Sequence, residues 1–311
     1  MTGVLMQGTL GKTGLSVSRL GLGTAEIGFA YGLGTPELPS EEEAIKLLKT
    51  AVELGVTFFD TANYYGLAEE RIGKSGILKD PRVVVCTKCA KFLEDGEFLT
   101  PAQMKKKIFE QVESSLRTLQ IDALPLLLLH GPSAEQLRES VLVAIVAKLK
   151  QEGKIRYWGV STRGEPAPLA AIECGADAVQ VAFSIADRRM APVFAAAQAK
   201  GIGVINRSVY LKGVFAGRAE HLPDSCVILK QAAAKAQTIA GSLGVSLTEL
   251  ALRYTLSESA IASSLVGTSK AEHLESAVRA LQKGVLPDGV VRQLRMLAID
   301  DPNEVDPARW N

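Results

Sequence analysis

Long apolar runs are missing from this chain of 311 residues. The longest uninterrupted stretches, such as Val141–Ala147, reach about seven residues, whereas a helix crossing a bilayer needs about 20. The opening MTGVLMQGTLGKTGLS has no basic segment followed by an apolar one, so no secretory leader is expected. Cysteine is scarce, four in all, which excludes a disulfide scaffold. Charge excess is absent too: 35 Lys and Arg against 34 Asp and Glu leave a net +1. Neither nucleic acid nor an anionic membrane finds an electrostatic handle there. Low net charge with 47% hydrophobic residues excludes a disordered chain. No Ser/Gly/Pro linker and no internal repeat divide the sequence. A soluble cytoplasmic protein is expected, folded as one domain over residues 1–311.

What the sequence does contain is an alternation of short β-rich apolar runs with longer helical patterns. Predicted strands are Leu20–Thr24, Thr57–Ala62, Val83–Lys88, Leu124–His130, Arg156–Ser161, Ala178–Ser184, Gly203–Ser208 and Ser263–Thr268. Several are apolar almost throughout, as strands buried on both faces must be. Helix starts are marked between them. Ser40-Glu-Glu-Glu43 reads as a capping box, and Thr100…Gln103, Ser133…Gln136, Ser246…Glu249 and Ser269…Glu272 repeat it. Behind Ser40, residues Ala44, Leu47, Leu48, Ala51 and Leu54 share a helix face that stops at Gly55. Eight such units predict a (β/α)8 TIM barrel. An open doubly wound sheet is the competitor, but Leu-Gly-Leu-Gly-Thr after the first strand lacks the third glycine of its phosphate fingerprint. Gln7–Ser18 is expected to form a short hairpin ahead of the barrel, and Ile299–Asn311 a loop over one end.

Barrels of this kind work at the C-terminal ends of their strands. Three adjacent predicted strands end there in Asp60, Lys88 and His130, with Tyr64 and Tyr65 in the loop after the first. A charge that closes an apolar strand must be paired, and Asp60 and Lys88 are neighbours. One job suits the set. A phenol has a pKa near 10, an adjacent ammonium lowers it, and a carboxylate holds the ammonium. The tyrosine is then a general acid–base for a carbonyl oxygen that the imidazole orients. The bland alternative is a structural ion pair beside unrelated strand-end residues.

Asp60-Thr-Ala-x-x-Tyr65-Gly, followed by Thr87-Lys88 and Leu129-His130, resembles the catalytic tetrad of the aldo-keto reductases, and the likeness covers nearly the whole chain. The resemblance implies a barrel with an N-terminal hairpin that binds an extended nicotinamide cofactor, usually NADPH, without a Rossmann domain. It implies Tyr65, rather than Tyr64, as proton donor, Asp60 and Lys88 as its tuners, and His130 as the group that places the carbonyl. Tyr64 is then a pocket or packing residue. On the cofactor side it implies contacts from Gly23 and Thr24, and from Ser161 and Gln180, which match the family's grip on the carboxamide. Thr162 stands where the family has Asn and offers one hydroxyl in place of a donor and an acceptor. Arg207-Ser208-Val-Tyr210 replaces the usual Tyr-Ser-Pro-Leu, with Gly213 close behind. Arg207 would stack on the nicotinamide or turn toward the pyrophosphate. The segment Gly267-Thr268-Ser269-Lys270 opens a helix at a phosphate-binding position. His273 replaces the family's Arg there, leaving Lys270 and the Thr268 and Ser269 hydroxyls as partners for a 2′-phosphate. NADPH is therefore the expected cofactor, with NADH as second choice.

The remaining features read as packing. Cys86-Thr-Lys-Cys89 has no second CxxC, and period two sends its cysteines to opposite faces. His221 and His273 lack the partners of a metal site, Trp158 sits inside a strand, and Lys105–Lys107 mark a solvated helix face. Gly131, where relatives often carry a bulky residue, should leave the substrate wall open. Pocket loops are expected at Glu26–Leu33 and Lys91–Phe98 and in the tail. Glu26 and Tyr31 suit a hydroxylated substrate, and Phe92 and Trp310 an apolar one. The principal expectation is an NAD(P)H-dependent reductase of an aldehyde or ketone, or in reverse a dehydrogenase of an alcohol or sugar. The alternatives are a cofactor-binding sensor barrel with little turnover and a Schiff-base aldolase using Lys88. No metal, nucleic-acid or membrane partner is expected.

Overall fold

The structure is a computed structural model, and it describes residues 5–33 and 37–310; Asn311, at the end of the expected tail, lies outside them. Two strands, β1 (Gln7–Thr9) and β2 (Ser16–Ser18), form an antiparallel hairpin. Eight more follow: β3 (Leu20–Gly23), β4 (Phe58–Asp60), β5 (Val84–Cys89), β6 (Leu124–His130), β7 (Ile155–Ser161), β8 (Ala178–Ala182), β9 (Gly203–Arg207) and β10 (Ile261–Gly267). These are all parallel and close into a barrel in sequence order, with β10 pairing both β9 and β3. The expected (β/α)8 barrel and its hairpin are therefore present. Strand β4 is shorter than its sequence suggests, because the chain leaves the ladder after Asp60 while Thr61 and Asn63 still donate their N–H groups to Cys86 and Lys88 carbonyls.

Period two explains what the strands do. Phe58, Val84, Cys86, Leu126, Leu128, Ala178, Ile205 and Leu265 fill the barrel interior, whereas their neighbours Phe59, Val85, Leu127, Leu129, Val179, Val204 and Val266 meet the surrounding helices. One step beyond the interior layers, the same inward face ends in Gly23, Asp60, Lys88, His130, Ser161, Gln180, Arg207 and Gly267.

The helices are α1 (Glu41–Glu53), α2 (Ala68–Ser75), α3 (Pro101–Leu119), α4 (Ala134–Arg138), α5 (Val141–Gln151), α6 (Pro166–Glu173), α7 (Ala191–Lys200), α8 (Val227–Ser242), α9 (Leu247–Thr255), α10 (Ala271–Gln282), α11 (Asp288–Arg295) and α12 (Pro302–Val305). Full capping boxes start α1, α3 and α4 at Ser40, Thr100 and Ser133. At α9 only half the box forms: Ser246 accepts from the Glu249 N–H and its hydroxyl pairs with Thr248. The expected Ser269 box is absent, since α10 begins after Lys270 with no side-chain cap. The tail corrects the sequence reading as well. It is no simple loop but contains α12 and a 3-10 turn, Pro307–Arg309, and its buried Glu304 accepts the Ile228 and Leu229 N–H groups at the start of α8. Among the described residues no helix is long and apolar enough to cross a membrane, and no cluster of His, Cys, Asp and Glu is arranged to hold a metal.

Candidate active site

The barrel delivers Asp60 and Lys88 into contact at its C-terminal mouth. Lys88 Nζ donates to Asp60 Oδ2 at 2.6 Å and to the Thr61 carbonyl at 2.9 Å, with the lysine fully buried. Gln180 Nε2 donates to the other carboxylate oxygen at 2.7 Å, and Ser161 Oγ donates to Gln180 Oε1 at 3.0 Å. A hydrogen-bonded chain, Ser161–Gln180–Asp60–Lys88, thus crosses the mouth and satisfies the ion pair that burial would otherwise make costly.

Tyr65 lies on the turn after β4, where its N–H reaches the Ala62 carbonyl. Two glycines let this turn pass close under the β3–α1 loop: a Cβ on Gly28 would sit 1.9 Å from the Tyr65 carbonyl oxygen, and Gly66 has φ +52°. The Lys88 ammonium is 4.8 Å from the centre of the Tyr65 ring. Burial, reinforced by the Asp60 carboxylate, pushes the Tyr65 phenol well above its usual range. Tyr65 stays a phenol at neutral pH.

Tyr64 proves to be a site residue. Its hydroxyl lies 3.2 Å from His130 Nε2, and its ring stands edge-on to both His130 and Tyr65. Burial, then the charges of Lys88 and Arg207, pushes the His130 imidazole down to about 2, so it is neutral. Its buried Nδ1 has no hydrogen-bond partner. The tautomer with a proton on Nε2 leaves only an acceptor unpaired, and Nε2–H then donates to Tyr64.

A cavity of about 280 Å³ joins these groups to Gly23, Thr24, Ser161, Thr162, Gln180, Arg207, Ser208 and Gly267. Thr162 Oγ1 is buried in it without a partner. Arg207, which also lines the cavity, donates to the Thr162 carbonyl at 2.9 Å and to Ser208 Oγ at 3.3 Å. Sharing Glu26, Tyr31 and Gly267 with that cavity, a cleft of about 710 Å³ runs out past Gly213, Thr268 and His273. Ser269 and Lys270 line an adjoining hollow. Thr268 Oγ1 accepts the Lys270 N–H at 3.0 Å and lies 3.2 Å from His273 Nδ1. Across the cleft, Arg218 donates to the Leu33 carbonyl at 3.1 Å.

The substrate side departs from expectation. The space beside Gly131 is not open, because Glu94 from the β5–α3 loop fills it. Phe92 is buried against Lys107 and Trp310 donates to the Glu304 carbonyl, so neither flanks the cavity. Glu26 and Tyr31 do line it, joined by Phe29 and Glu94 from the two expected pocket loops and by Arg163, which no sequence feature signalled. Cys86 is buried in the barrel interior and Cys89 against the helices, and burial pushes the Cys89 thiol up to about 12.

Known proteins resemble this chain in sequence and fold. The model of the aldo/keto reductase family matches residues 19–299. An Arabidopsis thaliana protein named L-galactose dehydrogenase is 32% identical over 88% of this chain and 86% of its own length. The D-threo-aldose 1-dehydrogenase of a Pseudomonas species is 26% identical over 84% of this chain and 88% of its own. Among solved structures, the holo form of an aldo-keto reductase from Bacillus halodurans superposes with TM-score 0.78 at 27% identity, covering 98% of this chain and 99% of that one.

Proposed function

The chain belongs to the aldo/keto reductase family, and from that membership we propose an NADP(H)-dependent oxidoreductase that reduces an aldehyde or ketone, or oxidises the corresponding alcohol or sugar, with Tyr65 as general acid–base. The observation that carries this reading is the meeting of Asp60, Tyr65 and His130 in one cavity, with Lys88 buried against Asp60 and Tyr65 behind it, beside a larger cleft. That cleft suits the family's nicotinamide cofactor. The partnerless Thr162 hydroxyl is the kind of buried polar atom that a carboxamide would satisfy, with Ser161, Gln180 and Arg207 around it. Gly213, Gly267, Thr268, Ser269, Lys270 and His273 would hold the adenosine end, with Lys270 the cation for a 2′-phosphate that favours NADPH.

When bound, the nicotinamide supplies the hydride that reaches the carbonyl carbon. The chain's residues handle the oxygen. His130 Nε2–H, released from Tyr64, holds it, and Tyr65 passes its hydroxyl proton to it as the alkoxide develops. Lys88 then steadies the phenolate, Asp60 holds Lys88 in place, and solvent returns the proton. The names of the two sugar-oxidising relatives support a sugar or its aldehyde as substrate, and the four unpaired cysteines suit a reducing, cytoplasmic setting.

The test is NADPH oxidation with a panel of aldehydes and sugars. Tyr65→Phe is expected to lower kcat by about 10²–10⁴-fold, and Tyr64→Phe by less than about tenfold, the scale of one lost neutral hydrogen bond. Unchanged turnover in Tyr65→Phe would end the proposal, and tight NADPH binding with no turnover of any carbonyl would make the protein a sensor instead.

A further inference from the structure

The wall beside His130 is built from charge, and a glycine makes room for it. Gly131 has φ +71°, and a Cβ there would lie 2.4 Å from Glu94 Cβ and 2.8 Å from its Cγ. A side chain at 131 would therefore push Glu94 out of the wall. With none there, the Glu94 carboxylate reaches the catalytic mouth, where Oε2 stands 3.9 Å from His130 Nε2. Arg163 fixes it from the β7–α6 loop, with Nε 2.7 Å from Glu94 Oε1, and is itself held by Asp306 of the tail at 2.9 Å. Neither of these bonds uses Arg163 Nη2. Lys91 Nζ adds a counter-charge 3.1 Å from Glu94 Oε2, at an angle that makes no hydrogen bond. Oε2 is thus a buried acceptor with no hydrogen-bond partner, beside the imidazole and next to the cavity.

We propose that Glu94, seated in the gap at Gly131 and held by Arg163, is a specificity-determining residue that reads a hydroxyl on the carbon next to the reacting carbonyl. This rests on the carbonyl-reductase reading above. A carbonyl oxygen held on His130 Nε2 takes the place of the Tyr64 hydroxyl. In a 2-hydroxycarbonyl compound the second oxygen is then only three bonds away, within reach of Glu94 as acceptor and Arg163 Nη2 as donor. A substrate lacking that hydroxyl leaves the buried carboxylate oxygen unsatisfied, and sites built to bond a substrate hydroxyl reject analogues without it.

The experiment compares two aldehydes that differ by a single hydroxyl, 2-hydroxypropanal and propanal, with NADPH in excess. Wild type is expected to show a kcat/KM ratio favouring the hydroxylated aldehyde by about tenfold or more, carried mostly in KM. Glu94→Ala and Glu94→Gln should each bring that ratio down toward unity. Parallel loss on both substrates, with the ratio kept, would mean that Glu94 is merely structural and would overturn the inference while leaving the carbonyl-reductase reading intact. A wild type that reduces neither aldehyde nor any of the wider panel fails that reading first. A wild type that reduces both equally fails only the inference.

Discussion

His130 shows how one residue's surroundings set both its chemistry and its effect on stability. Buried beside Lys88 and Arg207, its imidazole is held at about 2, against a reference of 6.5. It is therefore neutral wherever the protein is folded and active, a hydrogen-bond donor rather than a cation, and kcat/KM should show no inflection near pH 6.5 from this group. The stability consequence has a definite sign. The unfolded chain takes up a proton at His130 below about pH 6.5 and the folded chain does not. The folded state is thus fully favoured above pH 6.5 and loses ground on acidification from there toward pH 2, by about 1.4 kcal/mol per pH unit at most. Urea unfolding of wild type and His130→Gln at pH 7.0 and 5.0 tests this: the variant should lose less stability between the two, and equal losses would show that His130 titrates normally. At this scale the sequence revealed which side chains reach the mouth, because Asp60, Lys88 and His130 each close an inward-facing strand row. It did not reveal that Tyr64 bonds the imidazole, since adjacent loop residues carry no periodicity to show which one faces the cavity.

At the scale of elements, short-range signals are legible where the interaction is local. Ser40, Thr100 and Ser133 each found a Glu or Gln three residues on, and the boxes form as written. Ser269 had the same spacing and fails, because the Thr268 hydroxyl already takes the Lys270 N–H and contacts His273, moving the start of α10 one residue onward. The first-turn N–H groups of α10 are left without a side-chain cap, which suits an anion at that end of the cleft. His273 lies in that turn on the cleft wall. Replacing it with Arg adds a planar, fully charged donor, and His273→Arg is expected to tighten NADPH binding by about tenfold, the scale of one charge-assisted hydrogen bond. NADH, which lacks the 2′-phosphate, should gain much less. Fluorescence titration with both cofactors reads the ratio directly, and equal gains for the two would mean that α10 does not meet the phosphate.

Over the whole molecule, the two ends of the barrel do different work. Strand number, order and the N-terminal hairpin were legible because apolar runs and period two are properties of the chain itself. The Glu94–Arg163–Asp306 chain was not, since it joins three loops separated by more than 200 residues through packing at a glycine. At the opposite end, the hairpin closes the barrel with Leu10, Leu15 and Val17, which pack on the interior layer of Phe58, Val84 and Leu126. Hydrogen bonds, each to a backbone carbonyl, tie it down: Lys12 N–H to the Gly201 carbonyl, Tyr157 hydroxyl to the Thr13 carbonyl, and Ser263 Oγ to the Ser18 carbonyl. Leu10 is fully buried and lies against Gly203, where an added Cβ would meet its Cδ1 at 2.5 Å. Leu10→Ala should therefore open a cavity that the closed barrel cannot collapse to fill, at a cost of about 2–5 kcal/mol in unfolding free energy. The site lies beyond the interior layers, so KM for carbonyl and cofactor should hold in the fraction that remains folded. Chemical denaturation together with kinetics normalised to folded protein tests the division. A KM that moves with the loss of stability would show that the two ends are coupled through the interior layers.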